Sequence, residues 1–219
     1  MKWQPLREDS LKLAEMAITL SLASSFIVRK RTGEVRCRGT EVTAMAASAV
    51  VPFVSVEEYL RSDPQPDMDY ADGAMEERNL GEIDHSDVQG ALYAFLFARR
   101  DEWKIRVNIE ARVQVGPRRF RIPDICILPA SWQRARIVRE APLLCIEVKS
   151  EGFSLKRERT RAQDYLNMGV PEVWIFDPAT RTAYVLRGED MVEQREGVLK
   201  LAGTPIALDL VELFGVLDE

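Results

Sequence analysis

With 219 residues, 46% apolar and 30% charged, the chain is long enough for one well-buried domain and far from a disordered composition. A formal charge of −5 argues against a generic nucleic-acid coat protein and makes any polyanion binding a matter of local patches. Three scattered cysteines without a CxxC exclude a disulfide framework and fit a reducing cytoplasm, and a single histidine, His85, removes most zinc-hydrolase designs.

In chain order, residues 1–44 stand apart. The apolar run Met16 to Val28 is too short to span a bilayer, and its charges, Arg29-Lys30-Arg31, follow it rather than precede it. No membrane partner is expected. Met45-Ala46-Ala47-Ser48 reads as a more usual start, so 1–44 is expected to be an atypical extension and 45–219 the domain.

Ser55 and Glu58 form a capping box for a short helix with Val56, Tyr59 and Leu60 on one stripe. Asp72-Gly73 marks a hairpin turn between Met68 to Tyr70 and Met75 to Arg78. Asp84 is the expected cap of a helix running to about Trp103, with Val88, Ala91, Leu92, Phe95 and Leu96 toward the core and His85 and Gln89 one turn apart. Lys104 to Val115 alternates throughout and predicts one half-buried strand. After Gly116-Pro117 the chain enters a buried strand, Ile125 to Leu128, through Pro123-Asp124. Leu143 to Lys149 is apolar on both faces until its last residues, as an inner strand of a covered sheet reads.

The helix from Arg157 to Met168 ends at Gly169 and Pro171; strands follow at Glu172 to Phe176 and Thr182 to Leu186, then a packed terminal stretch from Leu208 to Phe214. Trp174, Cys126 and Cys145 read as buried core. Basic residues crowd two places: Arg118, Arg119, Arg121, Arg134, Arg136 and Arg139, and then Lys156, Arg157, Arg159 and Arg161.

The period of two in a strand puts Cys145, Glu147 and Lys149 on one face. Ionised groups at the end of an apolar inner strand are costly unless paired with each other, a metal or substrate. If the Asp124 strand pairs with this one, the two carboxylates meet at one hard cation, leaving open positions of the kind Mg²⁺ fills with water and phosphate oxygens. Lys149 would then orient the attacking water and offset charge in the transition state. A lone Glu-x-Lys is more often a surface ion pair; Pro-Asp upstream and a basic helix downstream favour a site.

Pro123-Asp124 followed by Glu147-Val148-Lys149 is a PD…EVK pattern. Together with Asp72-Gly73, Asp84-His85-Ser86, Arg121-Ile122-Pro123-Asp124-Ile125 and the run Tyr165 to Pro178, it resembles the Uma2 family of the PD-(D/E)XK nuclease superfamily over about Ser55 to Phe214. The resemblance implies a single-domain α/β fold with a restriction-endonuclease-like core, a mixed central sheet flanked by helices. It also implies a divalent metal (Mg²⁺ or Mn²⁺), cleavage of DNA, and a homodimer. By the same likeness Asp124 and Glu147 are metal ligands, Lys149 is catalytic, Glu77 is an auxiliary acid, and Arg161, Gln89 and His85 lie toward substrate. One departure matters: relatives often carry a glutamate after the Asp-Gly turn, where this chain has Ala74, so a third carboxylate is either missing or supplied by Glu76 or Glu77. The competing expectation is therefore a catalytically impaired nuclease fold that binds DNA or regulates.

Overall fold

The computed structural model describes residues 53–62, 64, 67–78, 82–152 and 154–218; the expected extension 1–44, and Cys37 with it, lies outside them. Helix α1 (Val56–Arg61) has both halves of its Ser55/Glu58 capping box. It leads into the hairpin β1 (Met68–Ala71) and β2 (Ala74–Glu77). The turn residues Asp72 and Gly73 have φ of 50° and 103°, the pair of positive values that a tight two-residue hairpin needs. Gly73 is doubly constrained, because a Cβ there would come within 2.5 Å of the Phe53 ring.

Helix α2 (Ile83–Ala98) is followed by a single turn, α3 (Arg100–Trp103). Two expectations change here. Glu82, not Asp84, occupies the N-cap, without a side-chain cap bond, and the helix breaks at Arg99 instead of running on. Asp84 sits in the first turn, where a negative charge still complements the N-terminal dipole.

The alternating stretch from Lys104 also divides. It forms β3 (Ile105–Ile109) and β4 (Val113–Gly116), separated at Glu110, whose φ is 49°. Alternation survives the break, so the pattern hides it. The two pieces belong to different sheets: β4 pairs with β5 (Arg119–Arg121), and β3 with β6 (Ile125–Pro129).

The remaining elements are β7 (Leu144–Val148), α4 (Leu155–Met168), β8 (Val173–Asp177), β9 (Thr182–Arg187), β10 (Asp190–Gln194), β11 (Val198–Lys200), β12 (Ala207–Asp209), α5 (Leu210–Phe214) and a closing 3₁₀ turn, Gly215–Asp218. Ser154 caps α4, and Gly169 at φ 108° ends it. A six-stranded sheet runs β10-β9-β8-β7-β6-β3, and a four-stranded sheet runs β2-β1-β5-β4. Within the larger sheet β7 and β8 are parallel and the other neighbours antiparallel, so the sheet is mixed, as expected. The parallel pair requires a crossover, which α4 provides.

Helices cover both faces of the large sheet. On one, Val88, Leu92 and Leu96 of α2 pack with Leu213 and Phe214 on Ile125, Ile146, Val148, Trp174 and Phe176. On the other, Ala162 and Tyr165 of α4 pack on Cys126, Cys145, Val173 and Ile175. Trp174 and both cysteines are buried, as their apolar settings predict. The small sheet has its own aromatic core of Tyr59, Tyr70 and Phe120, the two tyrosine rings stacked at 4.9 Å. Among the described residues, no helix is long and apolar enough to cross a membrane.

Candidate active site

Strands β6 and β7 pair with Ile125 opposite Ile146. Extending that register by one residue sets Asp124 opposite Glu147, and directly opposed residues point to the same face. Both acids are buried, at 6% and 3% exposure. Asp124 Oδ2 accepts the Val148 N–H at 2.6 Å and lies 3.3 Å from His85 Nε2, while Arg78 Nη2 donates to Oδ1 at 3.3 Å. Gln89 Nε2 donates to the Asp124 carbonyl at 3.3 Å. His85 and Gln89, one turn apart on α2, thus reach the side chain and backbone of the same aspartate.

Glu147 is gripped from α4. Arg161 Nη2 donates to its two oxygens at 3.0 and 3.2 Å, and the Tyr165 hydroxyl donates to Oε1 at 2.7 Å. Burial nevertheless pushes the Glu147 carboxyl up to about 8; Arg161 opposes this, while the nearby charges of Asp124 and Glu158 add to it. The two facing acids therefore carry more negative charge than this dry corner of the sheet tolerates. Burial pulls the His85 imidazole down, but its hydrogen bond to Asp124 and the charges of Asp124 and Glu147 outweigh that and raise it. Its Nδ1 is buried without a hydrogen-bond partner.

Lys149 follows the last residue of β7. Its N–H donates to the Phe176 carbonyl at 2.7 Å, and its Nζ pairs with Asp177 Oδ2 at 3.1 Å rather than with Glu147. The parallel register explains the partner: Val148 lies beside Phe176, so the next residues on both strands are level. Lys149, Asp177, His85 and Asp84 line one cavity of about 150 Å³.

The other predicted residues lie around this centre. Glu76 pairs with Arg121. Glu77 is exposed at the end of β2, where its carbonyl accepts from Arg157, and it shares an open groove with Arg121, Arg157 and Arg161. Among the described residues, no group of three or more His, Cys, Asp or Glu side chains stands ready to hold a metal ion. What does stand ready is a pair of hard carboxylates whose present counter-charges are the guanidiniums of Arg78 and Arg161. An oxygen donor pair of this kind suits Mg²⁺ or Mn²⁺.

A family model described as "Uma2: Putative restriction endonuclease" matches residues 56–214. The chain belongs to the Uma2 family. A crystal structure described as a putative nuclease belonging to DUF820 from Anabaena variabilis has the same fold, at TM-score 0.67 and 20% identity over 75% of this chain and 99% of that one. A cryo-EM structure of a DrdV–DNA complex aligns only loosely, at TM-score 0.37 and 16% identity over 61% of this chain and 11% of that one. No curated protein matches.

Several side chains around the acids of this Uma2 chain carry no local motif. Asp69, fully buried on β1, accepts from Arg121 at 3.1 Å, from Arg161, and from the Ile122 N–H at 3.0 Å. Asp164 on α4 accepts from Arg119 and Arg121 at 3.0 and 2.8 Å. This ionic web ties the small sheet to α4 and, through Arg161, to Glu147. Two other side chains near the acids did leave a trace in the sequence. Tyr165 is one helical turn beyond Arg161, and Asp177 ends an apolar strand much as Lys149 does.

Proposed function

We propose that this Uma2 protein is a divalent-metal-dependent endonuclease that hydrolyses DNA phosphodiester bonds. The observation that carries the reading is the register of β6 against β7, which sets two buried carboxylates on one face, opposite each other. Asp124 and Glu147 would hold Mg²⁺ or Mn²⁺, which when bound lowers the pKa of water and polarises a phosphate. Arg161 and Tyr165 fix the rotamer of Glu147, and the Val148 N–H with His85 fixes that of Asp124. Lys149, steadied by Asp177 at the edge of the cavity, orients the attacking water with its ammonium and offsets charge on the phosphate. Glu77, at the rim, acts as an auxiliary acid. The family likeness extends the proposal to a cytoplasmic homodimer.

The test is cleavage of plasmid and single-stranded DNA with Mg²⁺ or Mn²⁺, with RNA as a comparison substrate. Glu147→Ala and Lys149→Ala are expected to lower the rate by on the order of 10²–10³. Equal inertness of wild type and variants across metals and substrates overturns the reading.

One observation favours a second reading. Arg78 and Arg161 already pair with the two acids, and Ala74 supplies no third carboxylate, as a turnover-deficient DNA-binding or regulatory module would have it. Titration calorimetry separates the two: DNA binding without uptake of Mg²⁺ or Mn²⁺ selects the module.

A further inference from the structure

The basic cluster centred on residues 118–139 does not stay together in space. Arg119 and Arg121 turn to carboxylates, namely Asp72 and Asp164 for the first and Asp69, Glu76 and Asp164 for the second. Arg134 and Arg136 go elsewhere. They join Arg100, Arg106 and Arg112 around an open groove of about 540 Å³ along β3, with Trp132 also in its wall.

These guanidiniums are held in a distinctive way. Arg106 Nε donates to the Ala130 carbonyl at 3.1 Å, Arg136 Nη2 donates to the Leu60 carbonyl at 2.9 Å, and Arg112 stacks over the Tyr59 ring at 4.5 Å. Arg100 lies over Phe97 and, among the described residues, is the one member in an ion pair, with Asp101 at 3.5 Å. Arg134 is exposed and has no ion pair among the described residues. Carbonyls and ring faces fix a guanidinium without cancelling its charge, whereas the carboxylates around Arg121 cancel it. In a chain of net charge −5, the groove thus sets five arginines against the single carboxylate of Asp101 in its lining, an excess of positive charge that a field-focusing cleft turns into anion attraction.

Its position matters as much as its charge. β3 is an edge strand of the large sheet, with Arg106 opposite Leu128 and Asn108 opposite Cys126. Counting by twos from Leu128 through Cys126 reaches Asp124, so the groove residues Arg106, Asn108 and Leu128 share the sheet face of the acid pair. Asn108 is level with a residue two places from Asp124, about 7 Å along the strand.

We propose that this groove is the track that holds the phosphodiester backbone of a nucleic-acid strand and leads it to the Asp124–Glu147 end of the sheet. Arg134 and Arg136 contact phosphates, and Trp132 offers a face for a base. The identity of the polyanion rests on the nuclease reading above; the charge and placement of the groove do not.

The experiment is binding without turnover: fluorescence anisotropy of labelled single-stranded and duplex DNA in EDTA, over a series of salt concentrations, on the full chain. Arg134→Glu combined with Arg136→Glu is compared with Arg195→Glu combined with Lys200→Glu, an equal change of charge at exposed positions outside the groove. The groove variant is expected to bind at least about tenfold more weakly at moderate salt. Its log K against log salt slope on single strands should be shallower by roughly 1.4, about 0.7 for each lost phosphate contact. The control pair should bind within about twofold of wild type, and circular dichroism checks that both variants fold. Equal weakening by both pairs, no binding by wild type, or a change in sedimentation with unchanged DNA binding each overturns the proposal. Failure of the nuclease reading looks different: DNA bound and weakened as predicted, but never cut with metal present.

Discussion

The two sheets are held together by different physics. The six-stranded sheet is a layered apolar core: every residue of β7 and β8 is buried, and Ile146, Trp174 and Phe176 meet α2 while Cys145 and Ile175 meet α4. The four-stranded sheet has only a small aromatic core and is tied to α4 by the buried charges of Asp69, Arg121, Asp164 and Arg161. Dispersion and hydrophobic burial are tolerant and additive over many contacts, whereas a buried ion web fails as a unit when one member is lost. The apolar sheet sets Asp124 and Glu147 opposite each other, and the ionic region, through Arg161, holds the Glu147 side chain in place.

The most severe way to break this contrast is Asp69→Ala. It leaves Arg121 and Arg161 short of a buried counter-charge and is expected to cost roughly 3–5 kcal/mol, read by urea denaturation. A cost below about 1 kcal/mol would mean that the web contributes little to stability.

A middle-sized effect sharpens it. The Glu147 carboxyl moves from an ordinary 4.5 to about 8 in the fold, so folding favours its neutral form. That contribution is complete below pH 4.5 and is lost as pH rises through about 8, because the native state holds a proton the unfolded chain has released. Glu147→Gln removes this titration. Its stability relative to metal-free wild type should climb between pH 5 and pH 9, by on the order of a few kcal/mol. A difference that is flat with pH contradicts the cause given for the shift.

The smallest effect is the counterpart in the apolar region. Ile146→Val, in the packed face against α2, should cost about 0.5–1.5 kcal/mol, equally at low and high salt and at pH 5 and 9. A marked pH dependence there would blur the division between the two regions.

The same division explains what was legible in the sequence. Strands β6, β7 and β8, helix α4 with its Gly169 stop, and the Asp72-Gly73 hairpin all announce themselves through apolar runs or turn chemistry, which are local signals. Period two put Glu147 on one face with Cys145, and Asp124 at a strand entry was readable from Pro123. The break at Glu110 was not, because alternation continues across it while the backbone changes sheet. Nor were Asp69, Asp164 and Arg78, whose hydrogen-bond partners lie more than 40 residues away. A charged residue in a sequence carries no mark of whether its partner is water or a buried guanidinium. The linear crowding of Arg118 to Arg139 suggested one patch, yet Arg119 and Arg121 are neutralised by carboxylates while Arg134 and Arg136 line the groove.

The crossover from β7 through α4 to β8 has one more consequence. Glu147, Arg161, Tyr165 and the Lys149–Asp177 pair all come from a single contiguous stretch, residues 144–177, so the chain closes short loops to bring them together. Asp124 joins from the preceding strand, while Asp69, Arg78, His85 and Gln89 arrive from further upstream. A transplant of that stretch with β6 into another scaffold of the same sheet order would carry most of the chemistry with it, leaving the donor's small sheet behind as the part to be replaced.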